Sequence, residues 1–386
     1  MPSLAQSIAE EIARTGPMPF RRFMERALYD PAHGYYASGR AAIGGEGDFM
    51  TSVSVGPLFG RLLATQFEEI WERLDRPTRF DLVEQGANRG EFAHDVLSAA
   101  QSSPAFFAAL HYLIIEPFAV NRERQEARLE PFAGKVTWHD ALDALPRFTG
   151  VHFSNELVDA FPVHRVVYRN GKWWEQYVAQ GANGSFVWSD GPISNPQLTP
   201  FFAHLPGIEG YQTEVNREAP VWMAALAAKL ERGYVLVADY GFSRDDYYLP
   251  DRREGTLAAY RQHRVCENPL ADPGGQDLTA HVDFTTLAQA AQTAGLKLAG
   301  FTDQHHFLVA LGRSIFPDIT SPGQLTPERQ KQQRAFATLM HPTLMGRGFQ
   351  FLALAKGVPA ALRGFELAAE PHRSLGLEIS PAPVEN

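Results

Sequence analysis

Apolar positions along this chain change their period several times, and each change predicts a different element. Residues 3–15 and 20–28 carry apolar side chains three and four apart, as does PLFGRLLATQFEEIWERLD at 57–75; all three read as amphipathic helices. TGPMP separates the first two, and a loop with HGYY (33–36) and GGEGDFMTS (44–52) precedes the third. From residue 80 short apolar runs alternate with helical stretches. FDLVEQG (80–86), YLIIEP (112–117), KVTWHD (135–140), GVHFSNEL (150–157) and GYVLVADYG (233–241) read as strands. Helices are predicted at 90–100, over NRERQEARLE after the second strand, and at 218–231. Such alternation argues a mainly parallel sheet with helices on both faces. HFLVALG (306–312) and FQFLALAKG (349–357) are predicted to close it as an antiparallel pair at one edge.

VVYRNGKWWEQYVAQGANGSFVWSDG (166–191) alternates apolar and polar residues and holds two turn signals, RNG and ANG. That is the pattern of an inserted antiparallel β-meander. Residues 313–345 read as a helical insertion, and the Pro- and Glu-rich end is expected to fray. The predicted organisation is a helical or lid region over 1–78 and an α/β Rossmann-like domain from 79–162 and 216–360. The meander fills 163–215, and a flexible tail covers 361–386.

Composition narrows the function classes. The chain has 386 residues and a net charge of −9 with both signs mixed, so no nucleic-acid footprint is predicted. No apolar run approaches the roughly eighteen residues of a membrane span. MPSLAQSIAEEIARTG has no apolar secretory core. With a single cysteine, Cys266, a cytoplasmic location is the expectation. His139, His305 and His306 lack the spacing of a metal site, so no metal is expected. A homodimer is left open.

The candidate chemistry lies at predicted strand ends. In LVEQGANRGEF (82–92) a strand runs through a Gly-rich turn into a helix, which places Glu84, Gly86, Asn88 and Gly90 where open α/β sheets bind ligands. Glu116 ends the second strand and can accept hydrogen bonds from two ribose hydroxyls. Asp140, beside Trp138 and His139, ends the third and could receive an adenine amino group. Three acids at successive strand ends fit a dinucleotide or S-adenosylmethionine. Glu84 would repel a pyrophosphate and suits an ammonium or sulfonium, which favours S-adenosylmethionine over a nicotinamide cofactor. After the fourth strand, Glu156 and Asp159 are three apart; a helical turn starting at Asn155 would turn both carboxylates to one side.

Six separated motifs, LYDPAHGYYA (28–37), GDFMTS (47–52), LVEQGANRGEF, SNELVDAFPVH (154–164), VADYG (237–241) and DLTAHVDF (277–284), resemble the MidA / DUF185 (COG1565) family of class I S-adenosylmethionine-dependent methyltransferases. The resemblance runs over roughly residues 4–357. It implies a class I methyltransferase sheet, S-adenosylmethionine as cofactor, and an arginine-bearing protein substrate of the respiratory complex I type, since mitochondrial members act as complex I assembly factors. On this reading Glu84, Gly86, Asn88, Gly90, Glu116, Pro117, His139, Asp140, Asn155, Thr51 and Ser52 bind the cofactor. Glu156 and Asp159 are catalytic, and Asp48, Tyr240 and His281 line the acceptor side. The chain departs from the family pattern at Asn88, where the family has glycine, and at Thr51-Ser52-Val53-Ser54, where the family has Thr-Ser-Pro-Glu. Asn tolerates positive φ, so the turn can still form. Those departures motivate a second reading, a non-enzymatic assembly or interaction factor; a third is a methyltransferase of a small metabolite.

Overall fold

The computed structural model describes residues 2–39, 52–261, 264–315, 326–341, 346–359 and 361–378. Seven strands form the main sheet: β1 (Phe80–Gln85), β2 (Leu110–Ile115), β3 (Val136–His139), β4 (Phe148–Asn155), β5 (Leu230–Phe242), β6 (Lys297–Asp303) and β7 (Phe349–Lys356). Their order is β3-β2-β1-β4-β5-β7-β6, and Val282–Asp283 adds a short parallel pairing to the end of β5. β1 to β5 run parallel; β7 is antiparallel to both β5 and β6.

Both faces of this sheet are covered, which is why its strands read as continuous apolar runs rather than alternating ones. Leu82, Val151, Phe153 and Leu236 face one core, packed by helices α3 (Leu58–Arg73), α4 (Glu91–Ala100) and α8 (Gln304–Ile315). Val83, Val235 and Val237 face the other, under α6 (Glu218–Lys229) and α7 (Phe284–Thr293). Helix α5 (Ala119–Arg128) joins β2 to β3. Among the described residues no helix is long and apolar enough to cross a membrane.

The predicted edge pair is half correct. FQFLALAKG is β7, but HFLVALG lies inside α8, and its edge position belongs to KLAGFTD, β6. A short apolar run does not distinguish a strand from a buried helix. Here Phe307, Leu308 and Leu311 are buried, and the Phe307 ring stacks on Phe351 of β7 at 3.9 Å. The β6 signal was masked by Gly300, the seat of the Phe365 ring, against which an added Cβ would lie at 2.3 Å. Phe365 and its neighbours also correct the expected fraying tail. Leu362, Phe365 and Leu375 are buried against the two cores, so residues 361–378 are packed.

The meander forms as predicted: His164–Arg169, Lys172–Gln180 and Phe186–Gly191 pair antiparallel. Asn170 and Gly171, at φ 52 and 77, make the left-handed turn that RNG signals. The sheet is completed by Gln212–Val215 and by Met18–Pro19, the link between α1 (Leu4–Thr15) and α2 (Phe20–Tyr29). Phe20 packs on Trp188 at 5.0 Å, so the N-terminal helices and the meander share one core.

Candidate active site

The sheet reverses its winding between β1 and β4, and the carboxyl ends of these strands open on a cavity of about 570 Å³. Ligands of doubly wound sheets bind at such a switch point, and this volume suits one cofactor-sized molecule with part of an acceptor.

One side of the cavity belongs to the turn after β1. Gly86, Asn88 and Gly90 have φ of 84, 45 and 79, three left-handed residues that fold the backbone tightly into α4. Asn88 thus adopts the conformation of the glycine it replaces. Gly86 and Asn88 line the cavity; Gly90 instead caps α4 and packs against Gln125, with an added Cβ 3.5 Å from its Cα. Glu84 is buried, accepts a 2.7 Å bond from the Tyr112 hydroxyl, and is pushed up to about 8 by burial. Glu116 also lies in the wall. It accepts from Phe118 N (3.0 Å) and Gln125 Nε2 (2.9 Å); burial raises its pKa, and these donors oppose the rise. Pro117 and Asn155 line the cavity too.

Across the cavity lies an acidic group drawn from distant parts of the chain. Residues 155–161 are not the predicted helical turn. Glu156 takes φ 53, its N–H bonds the Ala238 carbonyl, and the next three N–H groups converge on one oxygen of Asp239 at 2.8–3.3 Å. The other Asp239 oxygen accepts from Tyr240 N at 2.9 Å. Asp239, near the end of β5, therefore builds the turn that presents Glu156 and Asp159 to the cavity. Asp277 joins them, held by the Tyr36 hydroxyl at 2.9 Å, and Tyr29 and Tyr36 supply aromatic wall.

These carboxyls crowd one another. Glu156 is pushed up to about 8, first by burial and then by Asp239 and Asp277, against the pull of its 2.8 Å bond from Asn155. Burial, then Asp239, Glu156 and Asp277, push Asp159 well above the carboxylate range. Asp239 is pushed up to about 7 by burial, although four N–H groups favour its anion. Asp159, which lacks those four donors, is raised the more strongly of the two. A cation entering this half would relieve the repulsion and draw the acids into their charged forms.

Several predicted residues are placed elsewhere. Asp140 follows the last residue of β3, its side chain is 84% exposed beside Arg122 at 3.7 Å, and it takes no part in the cavity. His139 is also absent from the wall. Ser52 is buried and donates to Gln304 at 2.8 Å, a packing role. Tyr240 and His281 are not among the lining residues: Tyr240 packs on Phe349 at 4.0 Å, near enough to Glu156 and Asp159 for their charges to raise its pKa after burial, and His281 stacks on Tyr240 at 6.1 Å. Asp48 and Thr51 lie outside the described residues. Sequence reasoning missed Tyr29, Tyr36 and Asp277 as wall residues. All three sit inside motifs already singled out, LYDPAHGYYA and DLTAHVDF, which was the available signal.

The strand order and a switch-point cavity walled by a left-handed loop and a strand-end acid define a class I methyltransferase. Residues 62–302 match a family described as an S-adenosyl-L-methionine-dependent methyltransferase, and the chain belongs to this family. A COG1565 superfamily member from Burkholderia thailandensis, solved bound to S-adenosyl-homocysteine, superposes with a TM-score of 0.87 at 32% identity over 96% of each chain. The Drosophila melanogaster protein arginine methyltransferase NDUFAF7 homolog, mitochondrial, is 31% identical over 93% of this chain and 86% of its own length. Its Homo sapiens counterpart is 29% identical over 89% and 81%. The protein is thus an S-adenosylmethionine-dependent methyltransferase. The expected cytoplasmic location is corrected by the same comparison, because these relatives are mitochondrial proteins.

Proposed function

We propose that this enzyme methylates an arginine side chain of a protein, and that the two halves of the cavity divide the work. The single observation that carries the reading is the grouping of Glu156, Asp159 and Asp277 with Tyr29 and Tyr36 in the cavity that also holds Gly86 and Glu116. A guanidinium is a planar, permanently charged fork of five donors; carboxylates grip it and aromatic faces flank it. Relatives named protein arginine methyltransferase support the same substrate class.

Glu84, Gly86, Asn88, Glu116, Pro117 and Asn155 hold the cofactor, with Glu116 accepting from the ribose hydroxyls and Glu84 offering a carboxylate to an ammonium. When bound, the cofactor supplies an electrophilic methyl on a sulfonium and leaves as S-adenosylhomocysteine. Glu156 orients one guanidinium nitrogen, whose lone pair forms the new N–C bond as the C–S electron pair goes to sulfur. The proton shed by that nitrogen passes to the Glu156 carboxylate. Asp159 and Asp277 hold the rest of the fork. Alignment of this kind contributes up to ~7–11 kcal/mol, and a positioned proton acceptor adds ~10²–10⁴ in rate.

Incubation with methyl-labelled cofactor and a mitochondrial extract tests the reading. Label should enter polypeptide and be recovered as methylarginine after hydrolysis. Label found only in small molecules, or in another amino acid, would overturn it.

A further inference from the structure

Gln125 sits in α5, where five of the ten residues are charged, yet it is 0% exposed while Glu123 and Glu126 beside it face solvent. Its amide makes three hydrogen bonds to the ends of three neighbouring strands. Oε1 accepts from Trp138 Nε1 of β3 at 3.0 Å. Nε2 donates to the Asn88 carbonyl, in the turn after β1, at 2.7 Å and to Glu116 Oε2, just past β2, at 2.9 Å. An indole N–H can only donate, and a carbonyl and a carboxylate can only accept. The amide therefore has one workable orientation, with oxygen toward Trp138 and both hydrogens toward the cavity wall.

The face of α5 that carries Gln125 is polar where an ordinary packed helix would be apolar. Asn121, one turn earlier on the same face and also buried, approaches the other Glu116 oxygen at 3.5 Å. Burying two amides is costly unless they are bonded, and both are aimed at one carboxylate. Together with Phe118 N they fix the Glu116 side chain. Oε1 receives Phe118 N and the Asn121 amide, whereas on Oε2 the Gln125 bond takes one of two lone pairs and leaves the other for a ligand hydroxyl.

We infer that Gln125 is a positioning residue for cofactor binding, clamping the Asn88 turn and the Glu116 carboxylate at the spacing an adenosyl ribose requires, with Trp138 setting the direction of the clamp. This rests on the reading of Glu116 as the ribose acid and is independent of the acceptor. It also gives the departure at Asn88 a physical setting: the clamp holds the backbone carbonyl, which any residue in that conformation would present.

Calorimetric titration of the full-length protein with S-adenosylhomocysteine tests it by a double-mutant cycle. Gln125→Met, which keeps the length and removes the donors, should weaken binding by about 10–30-fold, the scale of a hydrogen bond to a charged group. In a Glu116→Gln background the same change should cost no more than about 3-fold. Trp138→Phe, which frees the amide to turn, should weaken binding by about 3-fold and show the same coupling; it carries the test if Gln125→Met does not fold. Equal losses in both backgrounds would make Gln125 merely structural and overturn the inference alone. Glu116→Gln binding as tightly as the wild type would instead overturn the ribose reading and the clamp with it.

Discussion

The two halves of the cavity are built on opposite principles. On the proposed cofactor side every element except Asn155, at the end of β4, comes from residues 80–139: two strand ends, one turn and the helix between β2 and β3, with the acid satisfied by donors before any ligand arrives. On the acceptor side Glu156 and Asp159, Asp239, Asp277, and Tyr29 with Tyr36 come from four distant segments, and the acids crowd one another. The lesson is that a site for a ligand of fixed shape can be preorganised by local hydrogen bonds. A site for a cation can store unfavourable charge that the cation itself neutralises.

The comparison breaks most sharply at Glu156. Glu156→Gln should lower methyl transfer by ~10²–10⁴ while S-adenosylhomocysteine affinity stays within about 3-fold, because on the proposed reading the lost group serves the acceptor alone. Equal losses in both would merge the two halves. Asp239→Asn comes next. It removes the charge on which three N–H groups converge, and a turn displaced by ~1 Å should cost ~10² in kcat, again with the cofactor affinity retained. Glu116→Gln should do the reverse, weakening S-adenosylhomocysteine by ~10-fold with a far smaller effect on kcat at saturating cofactor.

A smaller effect should appear as pH dependence in the ligand-free protein. Unfolded Glu156 ionises near its ordinary value of about 4.3, whereas the folded group holds its proton up to about 8. Between those values the folded state binds more protons, so this group's contribution to stability falls as pH rises and is level outside the window. Thermal melts should therefore show Glu156→Gln gaining on the wild type from about pH 5 to 8. A constant difference would mean that Glu156 is not charge-strained. Least of all, Asn88→Gly should change S-adenosylhomocysteine affinity by less than about 3-fold, since Asn88 already holds φ 45. A large change would mean that the Asn88 side chain touches the cofactor.

Legibility followed the same division. The turn at 84–90 and Glu116 were readable because strand, glycine spacing and strand-end acid are local patterns. Asp140 failed because strand ends are readable only to within a residue or two, and one residue past β3 its side chain is in solvent beside Arg122. HFLVALG failed because an apolar run this short carries no period that separates a buried helix from a strand. Asp277 went unnoticed within its motif, since nothing local to DLTAHVDF says that Tyr36 will bond it.

The order of apolar runs alone determined the parallel run of strands and two acids at its rim, Glu84 and Glu116, because side-chain period and strand-end chemistry are properties of short stretches. Which acids meet was decided by the tertiary structure. Asp239 folds the 155–159 turn, and the N-terminal tyrosines close over Asp277 through contacts spanning dozens to hundreds of residues. Hydrogen bonds and Coulomb forces act over a few ångströms of space, and only the folded chain sets which distant residues come that close.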